Sequence, residues 1–192
     1  MPHKKWEQFY QDNQRFHLEP HEMLSKVITH LREIEAHKVL DLGCGSGRHL
    51  IALAEEGFAV EGIDFSPSAV DLAQNWLQEK GFDYRVSIAD LHEEIKSLEK
   101  DSFGGILAID SIHYGSLEEF KSSLREINRL LITGGLLFLV VPTENSIIDR
   151  QNIEQIIFTE GQIRDLLADH FDILELRVDS NNDIAILATE KS

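Results

Sequence analysis

Cysteine occurs once in the 192 residues, at Cys44, so an internal disulfide is impossible and a reducing cytoplasm is the expected setting. Basic residues are scarce too: 18 Lys and Arg stand against 34 Asp and Glu, a formal charge of −16, and the acids are spread along the whole chain. Such a surface repels phosphate backbones and anionic lipid headgroups, and no basic cluster beyond Lys4 and Lys5 offsets it. Nucleic acid and membrane partners are therefore not expected. No apolar run is long enough to cross a bilayer; the longest clear one, LLFLVV at 136–141, stops at Pro142. The N-terminal MPHKKWEQFYQDN has no apolar signal core. Internal repeats and low-complexity stretches are missing as well.

What remains is an ordinary globular composition. At 192 residues and 42% hydrophobic content the chain can bury one sizeable core and is too short for two ordinary domains. In PHEMLSKVITHLREIE, residues 20–35, Met23, Leu24, Val27, Ile28, Leu31 and Ile34 form one helical stripe behind a proline. Strand-like segments follow near 38–42, 58–63, 84–89, 105–109, 136–141, 172–178 and 184–189. Helical patterns with recognisable starts fall between most of them. Ser66-Pro67 opens one that runs to Gly81, Ser116 with Glu119 makes a capping box before a second, and Thr159 with Gln162 repeats the device. Trp76 and Phe120 lie on the apolar stripes of these helices and are expected in the core. Strands and helices in alternation imply a largely parallel sheet covered on both faces. Two segments stand outside the alternation: residues 1–19, with Trp6, Phe9, Tyr10 and Phe16 but little apolar periodicity, and the long connection 142–158.

The densest signal is VLDLGCGSG, residues 39–47. Gly43, Gly45 and Gly47 alternate after a short apolar strand and before RHLIALAEEG, whose Leu50, Ile51, Leu53 and Ala54 have helical spacing. Strand, glycine turn and helix make the layout of a nucleotide-binding crevice, in which backbone must approach a ligand that a Cβ would block. A dinucleotide fingerprint needs a third glycine where Arg48 stands, and Asp41 would oppose a diphosphate while favouring a positively charged ligand. Asp64 ends the next strand, 21 residues beyond Gly43, where a carboxylate can accept hydrogen bonds from ribose hydroxyls. Cys44 lies in the turn with no partner base placed by the sequence, which makes a small packed residue the better reading than a nucleophile.

VLDLGCGSG followed at this distance by GIDFSP resembles the class I S-adenosylmethionine-dependent methyltransferases, and the likeness continues through SIADLHE, FGGILAIDSIHY and LLITGGLLFLVVP, over residues 37–190. GSGRHL and FTEGQIRDLL are most similar to small-molecule branches of that family, the tellurite-resistance type among them. The resemblance implies an α/β, Rossmann-like, doubly wound and mostly parallel seven-stranded sheet with helices on both faces. It divides one domain into an N-terminal segment and helix, 1–36, and an S-adenosylmethionine-binding part, 37–192. The loop Asp41–Gly47, with Gly43, Cys44, Gly45 and Gly47, would wrap the methionine end, Asp41 near its ammonium group. Asp64 would take the ribose hydroxyls and Phe65 would lie against adenine. Asp90 and the Leu91 amide would meet the adenine edge, and backbone near Ile109 and Asp110 would help hold the ammonium end. Gly104 departs from the family, which usually has an acid after the Phe of that strand.

The implied reaction is an in-line methyl transfer to a small molecule, in which the protein aligns the reactants and excludes water. A base is needed only for a protonated nucleophile. His113 and Tyr114, past the fourth strand, are candidates to meet the transferred methyl, with His113 as the catalytic group. Trp6, Phe9 and Tyr10 could close over cofactor and substrate as a lid, or dock on the sheet. His17 and His21 flank Glu19, but Pro20 interrupts any helix that would align them, so no metal is expected. Two other functions share parts of this pattern: a non-catalytic S-adenosylmethionine-binding interaction protein, and a nicotinamide oxidoreductase, which Arg48 and Asp41 disfavour.

Overall fold

A computed structural model describes residues 2–13, 18–147 and 155–191. Phe16, His17 and the middle of the 142–158 connection lie outside the described residues. Seven strands form one sheet in the order β3-β2-β1-β4-β5-β7-β6. They are β1 Lys38–Leu42, β2 Ala59–Asp64, β3 Tyr84–Ile88, β4 Phe103–Ile109, β5 Leu131–Val141, β6 Phe171–Val178 and β7 Ile184–Glu190. Strands β1 to β5 pair in parallel, and β7 runs antiparallel to both β5 and β6. The reversal follows from chain length: only residues 179–183 join β6 to β7, enough for a hairpin and too few for a crossover.

The helices are α1 Pro2–Asn13, α2 Leu24–Glu33, α3 Arg48–Glu55, α4 Pro67–Lys80, α5 Leu91–Glu94, α6 Leu117–Leu130 and α7 Glu160–Leu167. Side chains alternate across the pleat and so divide the core in two. Leu136, Phe138 and Val140 join Val39, Val60 and Leu107 under α2, α3 and α4. Leu137, Leu139 and Val141 join Leu40, Ile106 and Ala108 under α5, α6 and α7. Both capping boxes form: Ser116 and Glu119 start α6, and Thr159 and Gln162 start α7. Phe120 is fully buried, about 1.5–3 kcal/mol of burial energy. Trp76, expected in the core, is only half-buried, packed against the α2–α4 layer from its edge.

Two further expectations change, and the departure at Gly104 gains a reason. Residues 2–13 form a helix, because Trp6, Phe9 and Tyr10 do share one face at i, i+3 and i+4; with so few apolar residues the period is easily missed. Strand β5 begins at Leu131 instead of 136, its early part set off by an irregular register between Phe103 and Gly105. Gly104 lies within β4, and a Cβ there would come 2.5 Å from the Cβ of Ala36. No acidic side chain has room at that position.

Candidate functional site

The chain runs outward from β1 through β2 to β3, then returns to β4 on the other flank of β1, so crossovers diverge between β1 and β4. At such a switch point the carboxyl ends of the strands open into a crevice. A cavity of about 1010 Å³ lies there, walled by the ends of β1, β2 and β4, by α1, and by the turn between β6 and β7.

The glycine turn forms its floor. Gly43 and Gly45 have φ of 72° and 53°, a left-handed backbone that side chains resist. A Cβ on Gly43 would lie 2.5 Å from the Ser111 Cβ, and one on Gly45 would lie 2.4 Å from the Tyr10 hydroxyl. The amides of Gly43 and Cys44 donate to the Ile63 carbonyl (2.8 and 3.1 Å), which anchors the turn to β2. Asp64 completes the anchor, accepting from the Gly45 amide and the Ser66 amide, each at 2.9 Å. Gly47 does not face the cavity; a Cβ there would press on Ala73 of α4 at 3.0 Å, so that glycine serves helix packing.

Asp41 is also not on the wall. It is buried under the turn, and among the described residues its Oδ2 has no hydrogen-bond partner. His49 Nδ1 is 3.8 Å away, too far for a hydrogen bond. His49 Nε2 accepts from the His21 amide at 3.2 Å, which leaves the ring proton on Nδ1. Burial, with Arg48 beside it, holds His49 well below its ordinary pKa, so the ring is neutral and the pair is not an ion pair at neutral pH. Burial raises Asp41 to about 7, with the Arg48 charge opposing and the Asp64 charge adding to the effect.

On the β2–β3 flank, Asp64, Phe65, Asp90, Leu91 and His92 line the wall. Asp90 caps α5 by accepting from the His92 amide at 2.9 Å. His92 Nε2 donates to the Tyr114 carbonyl (3.0 Å), which leaves Nδ1 to accept from the Ser123 hydroxyl (2.7 Å). Ile109, Asp110 and Ser111 end β4 at the centre, where Asp110 has a φ of 52° and the Ser111 hydroxyl is buried without a partner among the described residues. A strained carboxylate residue at a strand end is where functional groups collect.

The far side comes from the segment before α2 and the β6–β7 turn. His21 Nε2 donates to Asp179 Oδ2 at 3.0 Å, and its Nδ1 accepts from the Met23 amide at 3.2 Å. Asp179 Oδ1 takes the amides of Asn181 and Asp183. The roof is aromatic: Trp6 packs edge-on against Tyr114 at 6.0 Å and against Phe9 at 5.4 Å, with Tyr10 beside it. His113 is fully buried behind Tyr114, ring centroids 4.2 Å apart, and does not reach the wall. That placement gives the catalytic expectation for His113 no support.

Of the residues singled out from the sequence, the structure thus gathers Trp6, Tyr10, Gly43, Cys44, Gly45, Asp64, Phe65, Asp90, Leu91, Ile109 and Tyr114 on one cavity. It adds Arg48, His49, His92, Ser111, His21 and Asp179. Arg48 and His49 stand directly after the glycine turn, and His92 and Ser111 directly after Leu91 and Asp110, so these were legible as neighbours; His21 and Asp179 arrive from distant segments and carry no local signal.

Residues 39–135 match the family model described as a methyltransferase domain. A putative methyltransferase of Geobacillus is 34% identical over 109 residues, 55% of this chain and 42% of its own length. The chain therefore spans less than half the length of that relative. A 1,6-didemethyltoxoflavin-N1-methyltransferase from Burkholderia thailandensis, solved with 1,6-didemethyltoxoflavin and S-adenosylhomocysteine, superposes with a TM-score of 0.74 at 20% identity, over 99% of this chain and 87% of that one. TehB from Haemophilus influenzae superposes with a TM-score of 0.70 at 17% identity, over 99% of this chain and 67% of its own. These two likenesses share the fold. With the family model covering half of the chain, and a fold shared with solved methyltransferases, the chain belongs to the class I S-adenosylmethionine-dependent methyltransferases.

Proposed function

We propose that this chain transfers a methyl group from S-adenosylmethionine to a small-molecule acceptor. The observation that carries the reading is Asp41: a buried carboxylate with an unsatisfied oxygen, under a turn whose glycines admit no side chains. A buried charge is costly until a cation meets it. The cofactor's ammonium group is such a cation, so the residues present fit the group. In this reading Asp64 holds the ribose hydroxyls with its remaining lone pairs, Phe65 lies along adenine, and Asp90 with the Leu91 amide meets the adenine edge. The backbone at Ile109 and Asp110 takes the ammonium end, with the Asp41 charge acting on it from beneath the turn.

When bound, the cofactor supplies a methyl on a positively charged sulfur. The protein's part is to align the acceptor and keep water out. Trp6, Tyr10 and Tyr114 do this from above, and the cavity, near the top of the range of about 300–1,000 Å³ for small-molecule sites, leaves space for an acceptor beside the cofactor. The acidic surface supports a substrate other than nucleic acid. No helix among the described residues is long and apolar enough to cross a membrane, and the free, buried Cys44 suits a cytoplasmic setting.

Calorimetry with S-adenosylhomocysteine and with nicotinamide dinucleotides, followed by incubation of methyl-labelled cofactor with a metabolite mixture, tests the reading. Binding of the first ligand only, and label appearing in a small molecule, is the expected result. No heat with S-adenosylhomocysteine on folded protein refutes the cofactor site. Tight binding without transfer to any acceptor favours the non-catalytic interaction protein.

A further inference from the structure

Three histidines, His21, His49 and His92, lie on the cavity wall among the described residues. A neutral imidazole has one lone pair with which to take a proton, and in each of them that lone pair is already engaged. His21 Nδ1 accepts from the Met23 amide at 3.2 Å, His49 Nε2 from the His21 amide at 3.2 Å, and His92 Nδ1 from the Ser123 hydroxyl at 2.7 Å. The Tyr10 phenol is pushed well above its ordinary pKa by burial, with Asp64 and Cys44 adding to the effect, so it stays protonated. Burial raises Asp179, but the bonds from His21 and from the amides of Asp183 and Asn181 outweigh it and hold the carboxyl below its usual range, which makes it a weak base. An alcohol entering this cavity meets carboxylates and engaged rings, not a strong base for its proton.

The charge on the wall points to the same kind of acceptor. Glu22 is paired with Arg177. Asp64, Asp90, Asp110, Glu119 and Asp179 face a single Lys or Arg on the wall among the described residues, Arg48, whose charge Asp110 and Asp41 already meet. Such a wall repels an anion and stabilises positive charge that develops on a bound molecule. The roof adds to this: Trp6 and Tyr114 meet edge-on, with 6.0 Å between ring centroids and 73° between planes. A flat molecule laid against one of these rings turns its edge to the other, and an aromatic face attracts a cation.

Resting on the methyltransferase reading, we infer that the acceptor is an uncharged nitrogen base on a flat ring, methylated on that nitrogen. The nitrogen brings the lone pair that the displacement needs. That pair forms the new N–C bond, the C–S pair passes to sulfur, and the positive charge moves from sulfur to nitrogen, where the carboxylates and aromatic faces hold it. A nitrogen that bears hydrogen then gives its proton to water. A hydroxyl needs its proton taken first, and a carboxylate is repelled on entry.

Calorimetry of the full chain saturated with S-adenosylhomocysteine tests this with two probes of one shape: 2-methylisoquinolinium, which carries the charge of a product, and 2-naphthoate, which carries an anion. The cation is expected to bind at least about tenfold more tightly. Asp179→Asn should narrow that margin by about three- to tenfold, chiefly through loss of affinity for the cation; if the variant does not fold in a thermal melt, the wild-type comparison decides. When methyl-labelled cofactor is incubated with a metabolite mixture, mass spectrometry of the labelled product should find the methyl on nitrogen. The inference is overturned if the cation fails to bind the saturated protein or binds no more tightly than 2-naphthoate, if folded Asp179→Asn weakens both probes equally, or if the label appears on oxygen. No heat with S-adenosylhomocysteine itself would instead sink the methyltransferase reading.

Discussion

Replacing Asp41 by Asn should make the empty protein more stable and a worse cofactor binder. Its carboxyl is raised from 3.8 to about 7 chiefly by burial, so between those values the folded state holds a proton that the unfolded chain has released. Stability therefore falls as pH rises through that window and is level above it. A carboxyl raised that far sets a ceiling of about 4 kcal/mol on this loss, and relaxation around the site brings the expected value to about 1–3 kcal/mol. His49 offers no relief, being neutral. Asn keeps the shape and has no charge to bury. Urea unfolding should find Asp41→Asn more stable than wild type by that margin at pH 8, with the advantage gone below pH 4. Cofactor binding should move the other way. Wild-type affinity for S-adenosylhomocysteine should rise with pH up to about 7, as the carboxylate becomes available to the ammonium group, whereas the variant should be at least about tenfold weaker at pH 8 and nearly flat. A variant less stable than wild type at pH 8, or one of unchanged affinity, would refute the reasoning.

Asp64→Ala should weaken S-adenosylhomocysteine binding by about 1–3 kcal/mol and also lower the melting temperature, because the Gly45 and Ser66 amides lose their acceptor; Asp64→Asn, read by calorimetry and melting, should separate the two effects. Gly45→Ala forces a side chain into the Tyr10 hydroxyl at 2.4 Å and into a left-handed backbone, so hydrogen exchange of α1 should accelerate, and the added Tyr10→Phe change should recover part of it. A gel shift with tRNA or duplex DNA should show no complex at physiological salt, given the charge of −16; a complex that weakens steeply with salt would mean folding has gathered a basic patch.

Most of the fold was legible because those strands and helices announce themselves locally: Ser66-Pro67, the two capping boxes and the alternating glycines are chemistry between near neighbours. The floor of the site was legible for the same reason, since VLDLGCGSG and GIDFSP end adjacent strands. What distant segments contribute was not. His21 meets Asp179 across 158 positions, and nothing near either residue points to the other. His113 shows the opposite failure: next to Tyr114 in sequence, it turns into the core while Tyr114 turns to the cavity. A loop of irregular backbone carries no period from which facing can be read. Gly47 was grouped with the cofactor turn by spacing, although its own constraint is Ala73 on α4.

The N-terminal helix is where lid and core readings divide. Glu7 of α1 reaches the start of α4, its Oε2 accepting from the Ser66 hydroxyl at 2.5 Å and its Oε1 from the Ser68 hydroxyl at 2.7 Å. Burial is the largest single influence on its pKa and raises it, but the hydrogen bonds from Ser66, Ser68 and Gln11 together outweigh it and hold Glu7 below the usual carboxylate range. A half-buried carboxylate at a helix N-terminus, still partly screened by solvent, is worth about 0.5–1 kcal/mol. That is enough to keep α1 docked most of the time and too little to forbid opening. Because the folded pKa is lowered, this contribution is present above the unfolded value and lost as pH falls through the folded one, so acid should undock the helix. The aromatic face of α1 covers the glycine turn, not the sheet interior, and Trp6, Phe9 and Tyr10 are only half-buried. As a lid, α1 should protect its amides from exchange when S-adenosylhomocysteine binds, and Glu7→Ala should raise the ligand's dissociation rate by about two- to fivefold with little change in melting temperature. Deleting residues 1–16 should leave a folded protein that binds cofactor weakly and turns over poorly. A truncated chain with wild-type affinity and dissociation rate would remove the lid from the mechanism, and one that unfolds outright would make these aromatics part of the core.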